Sequence, residues 1–212
     1  GGRQLDVSEV LDWFQQEVGR AELGWSCPTA PAPREHAGPA NNWLNFGSVR
    51  SGWSYTHWEQ DRGNQPLIAE NFRAGSYAVN YHLIEPARSP RYSPGPNGPT
   101  EFTRESQVLF PVSTPVTADG VFAYAKPHAT DVPPANLVLD VRDQSLMWIV
   151  AIPRHGNRPS PVPTSWPANQ PLPGAVNVSM FDGHVELVKL DHLWQLYWHK
   201  DYVPPNKRPG LP

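Results

Sequence analysis

His155, Asp182 and His184 are the side chains of this 212-residue chain whose types and placement most resemble a reactive set. Imidazoles with a carboxylate can hold a divalent metal, and a metal so held can drive hydrolysis. The competing reading is local. Asp182-Gly183 has the composition of a tight turn, where Asp serves backbone geometry. Between the two stands a structural cation such as calcium seated on Asp182. No His-Glu-x-x-His helix or cysteine pair accompanies the three residues. Other chemistries find less. Asp140 with Asp143, and Glu101 with Glu105, have ordinary surface spacing rather than that of facing glycosidase acids. Gly47-Ser48 and Gly75-Ser76 do not build a nucleophile elbow, and phosphate-loop and dinucleotide glycine patterns are missing. Cys27, the one cysteine, cannot form an intramolecular disulfide, and beside Pro28 it reads as a small buried apolar residue. The expectation is a protein that is not an enzyme and has no cofactor beyond that calcium.

Aromatic residues offer a second kind of function. Trp43, Trp53, Tyr55, Trp58 and Trp166 fall in stretches without periodicity, where flat rings can stack on a sugar face or fill a partner's pocket. The alternative is that they pin Pro-rich loops to the body. Asn177-Val-Ser179 matches a glycosylation acceptor but lies in an expected strand.

The elements that must position these residues are unevenly legible. Residues 174–189 read as two short strands joined by a two-residue Asp182-Gly183 turn of type I′. Val176, Val178 and Met180 alternate along the first strand and Val185 with Leu187 along the second, so both sets are expected on the core face. Val7, Val10, Leu11, Phe14 and Val18 give one apolar stripe, predicting a helix over about 6–18. Residues 27–71 lose periodicity and read as a long ordered loop. Strands are expected over 75–83, 106–110 and 116–120, with one or two apolar segments within 137–152. Residues 86–100 read as loop, and 156–173 as a Pro-rich insertion. Leu190, Leu193, Trp194, Tyr197 and Trp198 predict a short amphipathic helix whose aromatics pack rather than bind.

Bulk properties narrow the class. The net charge is -3 with no basic run, which argues against nucleic acid and anionic membranes as partners. Twenty-six prolines demand many extended or turning connections, whereas nine tryptophans argue against disorder. Leu146–Ile152, the longest apolar run, is far short of the ~20 residues of a bilayer helix. With no repeat and no clear linker, residues 1–212 form one domain of α+β type.

Arg154-His155-Gly156 followed by Gly174-Ala-Val-Asn-Val-Ser-Met-Phe-Asp-Gly-His-Val-Glu186 resembles the prepilin-type processing-associated family, marked by His, nine residues, then Asp-Gly. Trp25-Ser-Cys-Pro28 is similar to its Cys-Pro segment, Gly75-Ser-Tyr-Ala-Val-Asn80 to its Ser-Tyr-x-x-Asn strand, and Pro115-Val-Thr-Ala-Asp119 to a strand ending in Asp. Leu193–Pro205 resembles its tail. Residues 156–181 exceed the family's nine-residue spacing, which the insertion explains if His155 and the turn still meet in space. The resemblance implies a type IV pilin-like head, with an N-terminal helix on an antiparallel sheet, in a pseudopilin-like subunit. It further implies self-assembly into a helical filament at an extracellular, cell-surface or periplasm-spanning location. Family members open on a leader and a long apolar helix, absent here, so the expectation is a trimmed head or another route of assembly. Membrane contact would run only through that missing helix. The alternative expectation is a secreted carbohydrate-binding module using the loop tryptophans, with a surface glycan as partner.

Overall fold

The computed structural model describes residues 26–30, 44–59, 68–84, 100–139 and 146–212. Within them the chain is β-rich, with antiparallel sheets and short 3-10 turns, broadly an α+β or β-rich arrangement. The helix expected over 6–18 lies outside the described residues, as does most of 86–100. A three-stranded antiparallel sheet contains β1 (Leu44–Asn45), β2 (Trp53–Glu59) and β3 (Ile68–Gly75) in that order. The long loop expected over 27–71 is therefore corrected to a region holding two strands and part of a third. A register shift between His57 and Trp58 breaks the period-2 pattern that would have marked β2 in the sequence.

Ser76 bends the chain out of that sheet into β4 (Tyr77–Asn80), part of a five-stranded sheet. Its other members are β5 (Pro115–Asp119), β6 (Tyr124–Ala125), β7 (Ala175–Met180) and β8 (Val185–Lys189), in the order β6-β4-β5-β7-β8. All pairings are antiparallel except β4 with β6. Strand β4 stops short of Leu83 because Asn80 accepts a hydrogen bond from the His82 amide and caps a 3-10 turn over Tyr81–Leu83.

The hairpin differs from expectation by one residue, and that residue matters. The Met180 amide donates to the His184 carbonyl at 2.8 Å, and the Gly183 amide to Met180 at 2.9 Å, leaving a three-residue loop Phe181-Asp182-Gly183. Gly183 has φ +93°, as a three-residue loop closed by a left-handed glycine requires. A two-residue turn would pair Met180 with Val185. The observed register pairs Val178 with Glu186 and Val176 with Val188. A one-residue slip flips a strand's faces. Val185 and Leu187 accordingly point away from the core, 66% and 55% exposed, whereas Val188 is buried.

The inner face of the sheet carries Ala78, Ala118, Val176, Val178, Met180 and Val188. It packs on Met147–Ile152, buried throughout, whose continuous apolar run forms a 3-10 turn over Met147–Ile149 and irregular backbone rather than a strand. The expected C-terminal helix is a 3-10 turn over Leu190–Gln195, with Trp194 and Trp198 fully buried. Their indole N–H groups donate to the carbonyls of Asp131 and Leu193, both at 2.8 Å, so these aromatics pack, as anticipated. The strand expected over 106–110 is corrected to a 3-10 turn over Glu105–Gln107. There the Gln107 side chain accepts the amides of Thr103 and Arg104, drawing the backbone into a turn. The 156–173 insertion has no strand but is tied down. Leu137 and Trp166 exchange backbone bonds across it with Pro163 and Ala135, and buried Arg208 donates to the carbonyls of Ala168 and Gln170.

Candidate functional site

The sequence's metal set does not assemble. His155 bridges Ala175 at one end of β7, and Asp182 and His184 sit past the other end, about 20 Å away along a strand rising ~3.3 Å per residue. Asp182 Oδ1 instead accepts the His184 amide at 3.2 Å and faces His184 Nδ1 at 2.6 Å in an exposed turn. Those bonds from His184 hold the Asp182 carboxyl below the usual carboxylate range. The pair stabilises its own turn. Expecting the insertion to bring His155 to the Asp-Gly turn is corrected: residues 156–173 fold onto the 131–139 side of the molecule, and β7 carries the turn away.

What surrounds His155 is a different set. Strand β5 ends at Asp119, and the flank of β7 that it vacates is taken by His155, whose amide and carbonyl both bond Ala175 at 2.8 Å. Asp119 and His155 thereby lie on the same, outer face of the sheet. Asp119 Oδ2 accepts the Asn177 amide at 2.7 Å and stands 3.1 Å from His155 Nε2. Residues 26–30 cover this place. The Cys27 amide donates to the Ser76 hydroxyl, and Cys27 Sγ lies 3.3 Å from His155 Nε2 and 3.0 Å from Thr29 Oγ1. Cys27 and Asp119 are 1% and 0% exposed, whereas the His155 side chain is 20% exposed. Among the described residues these three form a set whose ligand atoms all lie within 4.8 Å of one another.

Arg154 supplies the counter-charge. Its guanidinium donates to the carbonyls of Ser76, Ser48 (2.9 Å) and Gly120 (3.2 Å), and reaches Asp119 Oδ1 at 3.5 Å, wholly buried. Burial pushes Arg154 below its usual range and Asp119 opposes that shift. Tyr77, beside the same group, is raised first by burial and then by Asp119 and Cys27. Arg154 therefore fastens the loop before β2, the β3–β4 junction and the end of β5 around one carboxylate.

Cysteine, histidine and aspartate together suggest a nucleophilic triad, but the geometry is wrong for one. In a working triad the nucleophile meets one ring nitrogen and the carboxylate orients the other. Here both approach Nε2. No protein-family model, curated protein or solved structure matches this chain. The assignment of roles therefore rests on the geometry.

The aromatic candidates separate. Trp53 is buried at 5%, its indole N–H donating to the Tyr77 carbonyl at 3.0 Å and its ring edge-on to Phe122, so it pins β2 to the sheet and offers no face to a ligand. This corrects its placement among surface contacts: a ring of that size, flanked by small Gly52 and Ser54, is drawn into the core. Trp166 is half-buried against the main core and anchors the insertion. Trp43 and the side chains of Tyr55 and Trp58 lie outside the described residues. Along the chain Cys27 has only the marks of a small buried residue, and nothing local joins Asp119 to His155. The signal was available only as scattered fragments, Cys-Pro, Ser-Tyr and a strand ending in Asp, each too short to imply a site.

Proposed function

We propose that this chain is the globular head of a pilin-like, non-enzymatic filament subunit that works outside the cytoplasm, at the cell surface or across the periplasm. One observation carries the reading: the fragments through which the sequence resembles the pseudopilin-like family meet at one place. Cys27, the Ser76-Tyr77 step, Asp119 and Arg154-His155 come from four separated segments and close around one carboxylate on the outer face of an antiparallel sheet. Residues 26–30 reach that face from the N-terminal side, and the same face carries exposed Val185 and Leu187 on edge strand β8.

Assembly is supported by surface that a monomer has little reason to keep. Leu109, Phe110 and Val203, 71%, 45% and 76% exposed, line one shallow groove, separate from the β8 pair. Two different apolar patches on one subunit suit head-to-tail contacts, which build open arrays rather than closed pairs. The glycan-binding alternative loses ground because Trp53 is inside. The test is electron microscopy of the product of the complete reading frame: fibrils labelled by antibody to this domain are expected, and a chain that stays monomeric when so produced would overturn the proposal.

A further inference from the structure

We propose that Cys27, Asp119 and His155 form a binding site for one divalent transition metal of the zinc type. On a tetrahedral zinc, with bonds of about 2.0–2.3 Å, neighbouring ligand atoms stand roughly 3.3–3.6 Å apart. Cys27 Sγ to His155 Nε2 is 3.3 Å and His155 Nε2 to Asp119 Oδ2 is 3.1 Å, each within a few tenths of an ångström of that spacing, and Cys27 Sγ lies within 4.8 Å of the Asp119 carboxylate, so an ion would draw the third pair together. Thiolate, imidazole and carboxylate converging on one point are a borderline-soft donor set, matched to zinc or cobalt rather than calcium or magnesium. The failure of the triad geometry is what a metal requires, since a ligand's lone pair, not a relay across the ring, must face the shared centre.

The surroundings support the ligands. Thr29 Oγ1 can donate to Cys27 Sγ, the Asn177 amide orients Asp119 Oδ2, and Ser76 fixes the backbone of Cys27. Cys27 and Asp119 are buried, while the His155 side chain is partly exposed, so the set lies at the edge of the interior within reach of solvent. Loading releases the Cys27 thiol proton to solvent, since the thiolate is the ligand. The site staples the 26–30 segment to the sheet whatever the protein's role, so it stands or falls independently of filament assembly.

Cobalt(II) titration of the purified full chain tests this. The sequence has a single cysteine, so a thiolate-to-cobalt charge-transfer band reports Cys27 alone. One equivalent is expected to give that band with tetrahedral d–d absorption, and excess zinc to abolish it. Cys27→Ser should remove the band, and His155→Gln should weaken cobalt affinity by about a hundredfold or more, judged against the 10–100-fold effects of outer-shell changes. Zinc should also raise the Tm of the unmodified chain and not that of His155→Gln, a readout that holds if Cys27→Ser fails to fold. Absence of the band with no zinc-induced shift in Tm, or equal affinity in His155→Gln, would overturn the site.

Discussion

Arg154 shows how a single side chain fixes several loops at once. Its donors meet carbonyls from three connections and its charge answers Asp119, both residues wholly buried. Arg154→Met should destabilise the fold by about 3–5 kcal/mol, because it leaves a buried carboxylate without its counter-charge. The double variant Arg154→Met/Asp119→Asn should recover part of that loss, and urea unfolding measures both. A second residue-scale expectation concerns pH. His82 is buried and neutral, donating from Nε2 to the Pro127 carbonyl while Nδ1 faces the Thr100 hydroxyl, and burial with neighbouring His199 and His128 pushes it down to about 2. His199, facing His128, Asp201, Glu101 and Lys200, is pushed down to about 4, again chiefly by burial. Both pKa values lie below the unfolded value near 6.5, so below that pH the unfolded chain binds more protons than the folded one. Stability is then full above about pH 6.5 and falls as the solution is acidified toward 4, at about 1.4 kcal/mol per pH unit for each histidine kept neutral. Urea midpoints at pH 7 and pH 5 check the sign; a higher midpoint at pH 5 would contradict it.

The β7–β8 hairpin and its neighbouring turns set the geometry at the next scale. Two glycines there share a left-handed backbone but differ in room. A Cβ on Gly183, φ +93°, meets nothing within 4 Å, whereas one on Gly174, φ +85°, comes within 2.7 Å of Pro153 Cβ and 3.0 Å of the His155 carbonyl. Gly183→Ala should cost about 1 kcal/mol, the backbone term alone, and Gly174→Ala at least about 2 kcal/mol because overpacking adds to it. Thermal melts rank the two. Gly174 also guards the bridge between His155 and Ala175, so its substitution should weaken cobalt binding while Gly183→Ala leaves it unchanged.

At the scale of the whole molecule, two sheets meet at Ser76, and the five-stranded one divides the chain into a filled side and an outer face. The filled side holds the buried tryptophans and Met147–Ile152; the outer face ends in exposed Val185 and Leu187. Leu187→Lys and Val185→Lys should change unfolding free energy by no more than about 0.5 kcal/mol, since both side chains stand clear of the core. Under the filament proposal the same substitutions should shorten or abolish fibrils, scored by electron microscopy against a Lys substitution at Thr130, an exposed turn position that belongs to neither apolar patch. Among the described residues no helix is long and apolar enough to cross a membrane.

Residues 174–189 alone were enough to specify a hairpin, because period-2 alternation and a turn pair are local signals. The packing role of Trp194 and Trp198 and the Pro-rich, strand-free insertion were legible for the same reason. Loop length was not: Asp-Gly serves two- and three-residue connections alike, and only the pairing of Met180 with His184 turned Val185 and Leu187 outward. Strand β2 was hidden by its bulge. The Cys27, Asp119 and His155 cluster lay beyond any reading along the chain, since its members come from segments separated by long stretches and approach only because β5 stops at Asp119 and His155 takes the vacant flank of β7. Sequence fixes what is near in the chain, and the burial of one charged pair, Arg154 with Asp119, decides what is near in space.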